Sequence, residues 1–560
     1  MNNEFVQYLN KLHNLNAQNP NAYGEKNIAD PFYAKVMVRV GLCDFICNQF
    51  ANEEPHSIIL TGHAGDGKTS IMYQVLDDLD MDFGSSESVF DVMLHGGNQC
   101  RCIKDFSEVP DENKTSVLRE ALEMPDKGNY TFMVANTGPL INTFGNLFPN
   151  PSNSEMAKIQ LIDAMDNNTG KVIEILGYKV CVINVASIDN TYFASEFLSK
   201  IVDEELWDSC KQCEKSEYCH IYRNRNLIVE NCKHVYEFIT MHYIWISEHG
   251  KRLTIRSMTE QLAYMLTGGI ECADVIQQND YKYLFSNLFF GYIGTVRKDI
   301  SLKIVAVNEA YMCGYDRKRL RSDEALLEND YENIFGEDVS KILHDAEKND
   351  SFLPGWREFL RRTYIFLNIV TDQNVIEYDD EDIFSKQFSR FCNLRDGKAT
   401  PSRIDANLVC DALSMIYIGT TNNDQQIPIT LSRESGITQN VQLITGLIPS
   451  RKVKVIAEET KDSLFNGKRK RYALKIEIEN KKLDTEITLP LFDFFEELRN
   501  GVVSTNVDPQ LSHGIESLKA EISDKLNDDN DESFEMIVLK NNCNTPISLE
   551  ITETKSIREM

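Results

Sequence analysis

The sequence predicts an α/β core built on a parallel sheet of the P-loop kind, then an inserted cysteine cluster, a helical lid and a separate α+β domain. Three observations carry this expectation. An apolar strand runs through a glycine turn into a helix at 58–79, further apolar strands alternate with helical stretches to about residue 186, and strand-type alternation returns after about residue 453.

The first of these is Ile58-Ile59-Leu60-Thr61-Gly62-His63-Ala64-Gly65-Asp66-Gly67-Lys68-Thr69-Ser70, which matches G-x-x-x-x-G-K-[ST] in full. A triphosphate is wrapped by backbone N–H groups, and glycine lets the chain bend tightly enough to point several of them inward. Lys68 is then expected to reach the β and γ phosphates of ATP, and Thr69 to offer a hydroxyl to Mg²⁺. The helix from Thr69 to about Leu79 aims its positive end at the anion. Gly62 through Ser70, with His63, Ala64, Gly65, Asp66 and Gly67 between them, are therefore candidate nucleotide contacts. An ordinary glycine-rich loop is the alternative.

At 560 residues the chain exceeds one compact core and suggests about three domains. A formal net charge of −28 and a pI near 4.8 argue against wrapping of DNA by the whole surface, because phosphate binding draws on clustered Lys and Arg. Two basic spots exist, Arg317-Lys318-Arg319-Leu320-Arg321 and Lys468-Arg469-Lys470-Arg471; each reads first as a solvated face or turn. There is no secretory leader pattern and no stretch nearing the ~18 apolar residues of a membrane span, and fourteen scattered cysteines suit reduced thiols, so a cytoplasmic protein is expected.

Residues 1–50 read as a polar arm and a helix that starts at Asp30-Pro31 and runs through Val36, Val38, Val40, Cys43, Phe45 and Ile46. Residues 51–205 form the core. Within it, 88–94 is a second strand and 100–108 a third that ends in acids. A carboxylate beside Mg²⁺ and a second to orient water are what a hydrolytic site needs; Asp105 fits the first role and Glu108 the second, although Phe106 and Ser107 separate them. The strand Val180-Cys181-Val182-Ile183-Asn184-Val185 leading to Asp189 is a competing source. Next comes Tyr130-Thr131-Phe132-Met133-Val134-Ala135-Asn136-Thr137-Gly138, whose Asn136 is similar in position to the polar residue that senses the γ-phosphate in AAA+-type ATPases; a strand-capping Asn is the alternative.

Residues 206–245 carry Cys210, Cys213 and Cys219 in a charged setting, with Cys232 following. Four soft ligands at this spacing suggest a structural Zn²⁺ site or an iron–sulfur cluster, with His220 the rival fourth ligand and free or redox-active thiols the alternative. From Arg252 a helix is predicted up to Gly268-Gly269, and Arg256 near its start is the candidate lid arginine for the γ-phosphate, against a surface salt bridge. The helical region 246–420 also holds Arg361 and Arg362, which read either as an arginine finger acting across a subunit boundary or as buttresses of acidic neighbours. Residues 421–560 begin with a polar linker at 420–426. They continue with strands at 453–456, 472–478 and 486–489, a turn at Gly467, helices at 491–498 and 514–526, an acidic run at 528–531, and strands at 535–539 and 547–551. No catalytic constellation stands out in this domain, which reads as an interaction module.

Taken together, GHAGDGKTS, IKDFSE, VANTGPL, the WxxCxxCxxxxxC cluster, TIRSMTEQLAYMLTGG and REFLRRTYIF resemble the DptF (DndF) ATPases of bacterial phosphorothioation-dependent restriction systems, over roughly residues 55–370. The resemblance implies an AAA+-like ATPase that acts in antiphage defence with partner proteins of the same restriction cassette, on DNA lacking the phosphorothioate mark. It implies DNA contact through the complex, no membrane, and leaves homo-oligomerisation open. It also implies Lys68, Thr69, Asp105, Asn136 and Arg256 as nucleotide contacts and the cysteines as a metal site. Two functions follow as expectations: an ATP hydrolase in which Lys68, Glu108 and Arg256 are catalytic, or a nucleotide-gated scaffold that binds ATP and partners without useful turnover.

Overall fold

The computed structural model describes residues 3–13, 28–83, 87–277, 280–367, 383–420, 425–430, 441–466, 469–502, 507–526, 533–540, 543–551 and 557–559. Residues 14–27 of the predicted arm, 421–424 of the linker, Gly467, Lys468 and the acidic run at 528–531 lie outside the described residues. The chain divides into two units. The first comprises Met1–Ser247, Lys251–Ile383 and Lys461–Arg469, and the second Glu248–Gly250, Phe384–Thr460 and Lys470–Met560.

The first unit contains a six-stranded sheet of β1 (Ser57–Thr61), β2 (Val89–Met93), β3 (Gln99–Ile103), β4 (Tyr130–Val134), β5 (Ile173–Ile175) and β6 (Tyr178–Asn184), in the order β2-β3-β4-β1-β6-β5. The four central strands run parallel, as expected. The two edges do not: β2 pairs antiparallel with β3 and β5 antiparallel with β6, so the sheet is mixed. Short connections explain this, because a tight turn can join only antiparallel neighbours. Leu176 and Gly177, both at positive φ (47° and 95°), make the two-residue turn between β5 and β6.

β1 and β4 are buried along their whole length, since helices cover both faces of the sheet. Ile58 and Leu60 join a core with Leu42, Ile46, Ile71, Val75 and Phe132, while Ile59 points the other way among Met133, Leu118, Leu140, Phe144 and Leu161. The helices of this part are α1 (Glu4–His13), α2 (Tyr33–Val36), α3 (Gly41–Asn52), α4 (Lys68–Asp78), α5 (Asp111–Leu122), α6 (Thr137–Asn146), α7 (Pro151–Asn167) and α8 (Phe193–Ile201). They are followed by α9 (His220–Glu230), α10 (Cys232–Glu248), α11 (Ile255–Thr267) and, further on, α12 (Trp356–Leu367).

Two local expectations are corrected. The single helix predicted from Asp30-Pro31 to Ile46 is broken into α2 and α3, with Met37 at the extended angles φ −61°, ψ 130°. Alternating valines favour extended backbone, and Gln74 of α4 satisfies that backbone instead of a helix: its Nε2 donates to Val38 O (3.1 Å) and its Oε1 accepts from Val40 N (3.4 Å). The strand predicted over 100–108 stops at Ile103, because the Asp105 side chain accepts from Ser107 N at 2.8 Å and turns the chain into a 3₁₀ segment, Phe106–Glu108.

In the second unit, α13 (Phe388–Arg395) and α14 (Arg403–Ile418) precede β7 (Gln426–Thr430), β8 (Val441–Pro449), β9 (Val453–Glu459), β10 (Tyr472–Ile478) and β11 (Lys481–Glu486). Then come α15 (Leu489–Arg499), α16 (Pro509–Leu526), β12 (Ser533–Lys540), β13 (Cys543–Ile551) and β14 (Ile557–Glu559). One sheet runs β9-β10-β11 and the other β14-β13-β12-β8-β7. The long segment of this unit starts at Phe384, ahead of the sequence boundary at 421, since α14 packs on α15, β7 and β9, and α13 on β10. The strand predicted at 486–489 is instead the end of β11 and the first residue of α15, with Pro490 in that helix's first turn. Among the described residues no helix is long and apolar enough to cross a membrane.

Candidate functional site

The turn between β1 and α4 is held from within and from the residues around the start of α11. Gly67 caps α4 at φ 81° and Gly65 stands at φ 90°, angles that residues with a Cβ rarely adopt. Gly65 also meets a close neighbour, for a Cβ there would lie 3.1 Å from Thr254 Oγ1 and 3.2 Å from Arg256 Cβ. Asp66 is buried; its Oδ2 accepts from His63 N at 2.9 Å, and its Oδ1 accepts from Arg252 Nη1 at 2.8 Å. Arg252 additionally donates to Val185 O (3.0 Å), beyond the end of β6.

Lys68 is buried at the start of α4. Its Nζ donates to His63 O (2.6 Å), Gly62 O (3.2 Å) and Asn136 Oδ1 (3.2 Å). Burial holds its pKa below the usual lysine value; Asp66 and Asp105 pull it up, and Arg252 and Arg256 push it down. Asn136, beyond the tip of β4, donates its Nδ2 to Ser107 Oγ at 2.8 Å, so one amide joins Lys68 to the acidic segment. Thr61 and Thr137 hydroxyls meet at 3.1 Å behind it.

Several of these residues line a cavity of about 440 Å³. Of the residues expected from the sequence, Ala64, Gly65, Gly67, Lys68, Thr69, Ser70, Asp105, Glu108, Asn136 and Arg256 line it. Gly62, His63 and Asp66 do not; they shape the turn behind it. Asp189, the competing acid, is also outside the lining, and its Oδ1 accepts from Thr191 N and Oγ1. β3 and β4 are neighbours, so Asp105 and Asn136 follow adjacent strand ends. The apolar part of the wall comes from Tyr8, Tyr33, Met37, Val38, Phe193 and Phe197. Thr69 and Asp105, both on this wall, carry oxygen atoms of the hard kind that could hold Mg²⁺.

Lys104, Ser107, Arg252 and Glu260 are among the residues of this wall or its supports that escaped the sequence reading. Lys104 is buried with its Nζ 4.5 Å from the Phe83 ring and 5.5 Å from the Phe90 ring. Its place inside an otherwise apolar run was the available signal. Glu260 sits one helical turn beyond Arg256 on α11 and faces the cavity; burial pushes its carboxyl up to about 7, with Arg256 opposing. Arg256 N itself donates to Gly65 O at 3.1 Å, so the first turn of α11 lies directly on the glycine turn.

Comparison of the chain with protein-family models, with curated proteins and with solved structures finds no match.

The cysteines are placed differently from the expected set. Cys210, Cys213 and Cys219 line one small cavity, but Cys232 is exposed at the first position of α10 and is not part of it. Cys272, from the loop after α11, takes the fourth position around that cavity. The rival ligand His220 is buried elsewhere, stacked on Tyr283 with ring centres 4.6 Å apart. As the side chains stand, no three His, Cys, Asp or Glu among the described residues are gathered to hold a metal ion.

Arg361 and Arg362 behave as buttresses. Arg361 makes paired hydrogen bonds to Asp323 (2.9 and 2.5 Å), and Arg362, fully buried, donates to Asp316 Oδ2 (2.6 Å) and Asn287 Oδ1 (2.7 Å) with its guanidinium 3.8 Å from the Tyr292 ring centre. A finger must reach a neighbour's nucleotide, and neither side chain is available to do so.

Proposed function

We propose that the first unit binds ATP with Mg²⁺ and hydrolyses it, as the ATPase component of a bacterial antiphage restriction complex. The observation that carries this reading is the convergence of Lys68, Thr69, Asp105, Asn136, Glu108 and Arg256, from four separate segments, on one cavity walled by the glycine turn. The strand order β2-β3-β4-β1-β6 supports an AAA+-like P-loop core, with β4 inserted between the strand of the glycine turn and the strand of the acids.

In this reading the N–H groups of 65–70 and the start of α4 face the phosphates, and the aromatic and aliphatic wall takes the base. Lys68 leaves its carbonyl partners for the β and γ phosphates, an exchange of neutral acceptors for charged ones. Thr69 and Asp105 would hold Mg²⁺, which neutralises charge on the phosphate oxygens when bound. Glu108 orients the attacking water, Asn136 and Arg256 meet the γ-phosphate, and loss of that phosphate releases Arg256 and α11. The link to restriction, to DNA lacking phosphorothioate marks and to cassette partners comes from the motif resemblance, and the acidic surface suits partner-mediated rather than direct DNA contact.

One observation favours the second reading, a nucleotide-gated scaffold: Glu108 is exposed at the end of a 3₁₀ segment, two residues removed from Asp105. Glu108→Gln separates the two. An ATPase keeps ATP binding and loses turnover by about 10²-fold or more, measured with DNA and partners present; a wild type without turnover under those conditions establishes the scaffold.

A further inference from the structure

We propose that Cys210, Cys213, Cys219 and Cys272 together bind one Zn²⁺ ion as four thiolates, and that Cys232 takes no part. The four residues surround a cavity of about 20 Å³, close to the space of a single water. That is the space of a single ion.

A buried hydrogen-bond donor reaches one of the sulfurs: Asn3 Nδ2 donates to Cys210 Sγ at 3.3 Å, and Asn3 lines the same cavity. Cys219 stands at the N-cap position of α9. A donor such as the Asn3 amide orients and stabilises a thiolate beside a metal. The backbone is equally committed: Cys213 N donates to Cys210 O (3.2 Å) and Ser216 N to Cys213 O (3.0 Å), folding the segment into successive turns. Lys215 Nζ then binds the carbonyls of Cys272, Ala273 and Val275 at 3.1, 2.9 and 3.0 Å, pinning the distant loop across the first three cysteines.

The sulfurs are not yet gathered on a point, but all four side chains already border the cavity, so closing on an ion takes side-chain rotation and no new chain path. Thiolates select a soft or borderline ion, and four of them leave no position open, so the site is structural. It would fasten the segment Cys210–Cys219 to the loop after α11, whose Ile270 O also accepts from Asn10 Nδ2 of α1 at 3.0 Å.

The test is metal analysis of the full-length chain from zinc-supplemented cells, beside Cys272→Ser and Cys232→Ser. About one zinc per chain is expected in the wild type and in C232S, and a loss of most of it in C272S. Zinc retained in C272S and lost in C232S, no zinc in the wild type, or a coloured iron–sulfur chromophore each overturns the proposal. Should C272S fail to fold, thiol alkylation of the wild type with mass mapping decides. Cys210, Cys213, Cys219 and Cys272 should be protected until a chelator is added while Cys232 reacts at once; labelling unaffected by the chelator, or disulfides among the four, refutes it.

Discussion

Arg252 Nη1 stands 2.8 Å from Asp66 Oδ1, joining the segment before α11 to the glycine turn across 186 positions of sequence. The Asp66 side chain is fully buried and the Arg252 side chain about a quarter exposed (28%), so this cation is the main compensation for a desolvated carboxylate. Arg252→Ala is expected to lower stability by about 2–3 kcal/mol, below the range for a wholly buried pair because water reaches the arginine. Asp66→Asn in the same background should recover part of the loss. Urea unfolding of the two variants checks this, and an unchanged midpoint in R252A would show that the pair contributes nothing.

Lys68 gives up three neutral acceptors when phosphate arrives, and the gain is a set of charge-assisted hydrogen bonds. Lys68→Ala should weaken ATP by about 10- to 100-fold, in line with about 1.5–3 kcal/mol for hydrogen bonds to charged groups. Titration with a fluorescent ATP analogue measures it, alongside circular dichroism to show that the fold persists. Affinity equal to wild type would remove the nucleotide reading.

Glu260 gives stability a pH dependence of definite sign. Its carboxyl is raised from 4.5 to about 7 in the folded chain, so the unfolded chain releases this proton first as pH rises. The group costs nothing below pH 4.5; the cost grows from there to about pH 7 and is complete above it. Glu260→Gln should therefore stabilise the protein by about 2–3 kcal/mol at pH 8 and by progressively less as pH falls toward 4.5. Melting temperatures of both proteins across pH 4.5–8 test this, and a constant difference would contradict it.

Arg362 with Asp316 forms a pair whose side chains are 0% and 3% exposed. Removing the arginine strands a buried carboxylate and leaves Asn287 without its donor, so Arg362→Ala should cost about 3–5 kcal/mol. Thermal unfolding reads the effect directly. Normal stability combined with loss of ATP turnover only in assemblies would restore a role across subunits.

The glycine turn, its flanking strand and helix, and the succession of acidic and asparagine-tipped segments were legible in the sequence because each is a local property. A G-x-x-x-x-G-K-T run specifies its own backbone angles, and apolar runs such as Tyr130–Val134 announce strands covered on both faces. The same local logic missed the break at 37–40 and the end of β3 at Ile103, where side chains of Gln74 and Asp105 competed for backbone partners. Tertiary structure alone decided what came together from afar: Arg252 with Asp66, Glu260 with the cavity, and Cys272 rather than Cys232 beside the first three cysteines. Spacing in sequence sets only how far a loop can reach, whereas packing of helices and sheet selects which of the reachable residues meet.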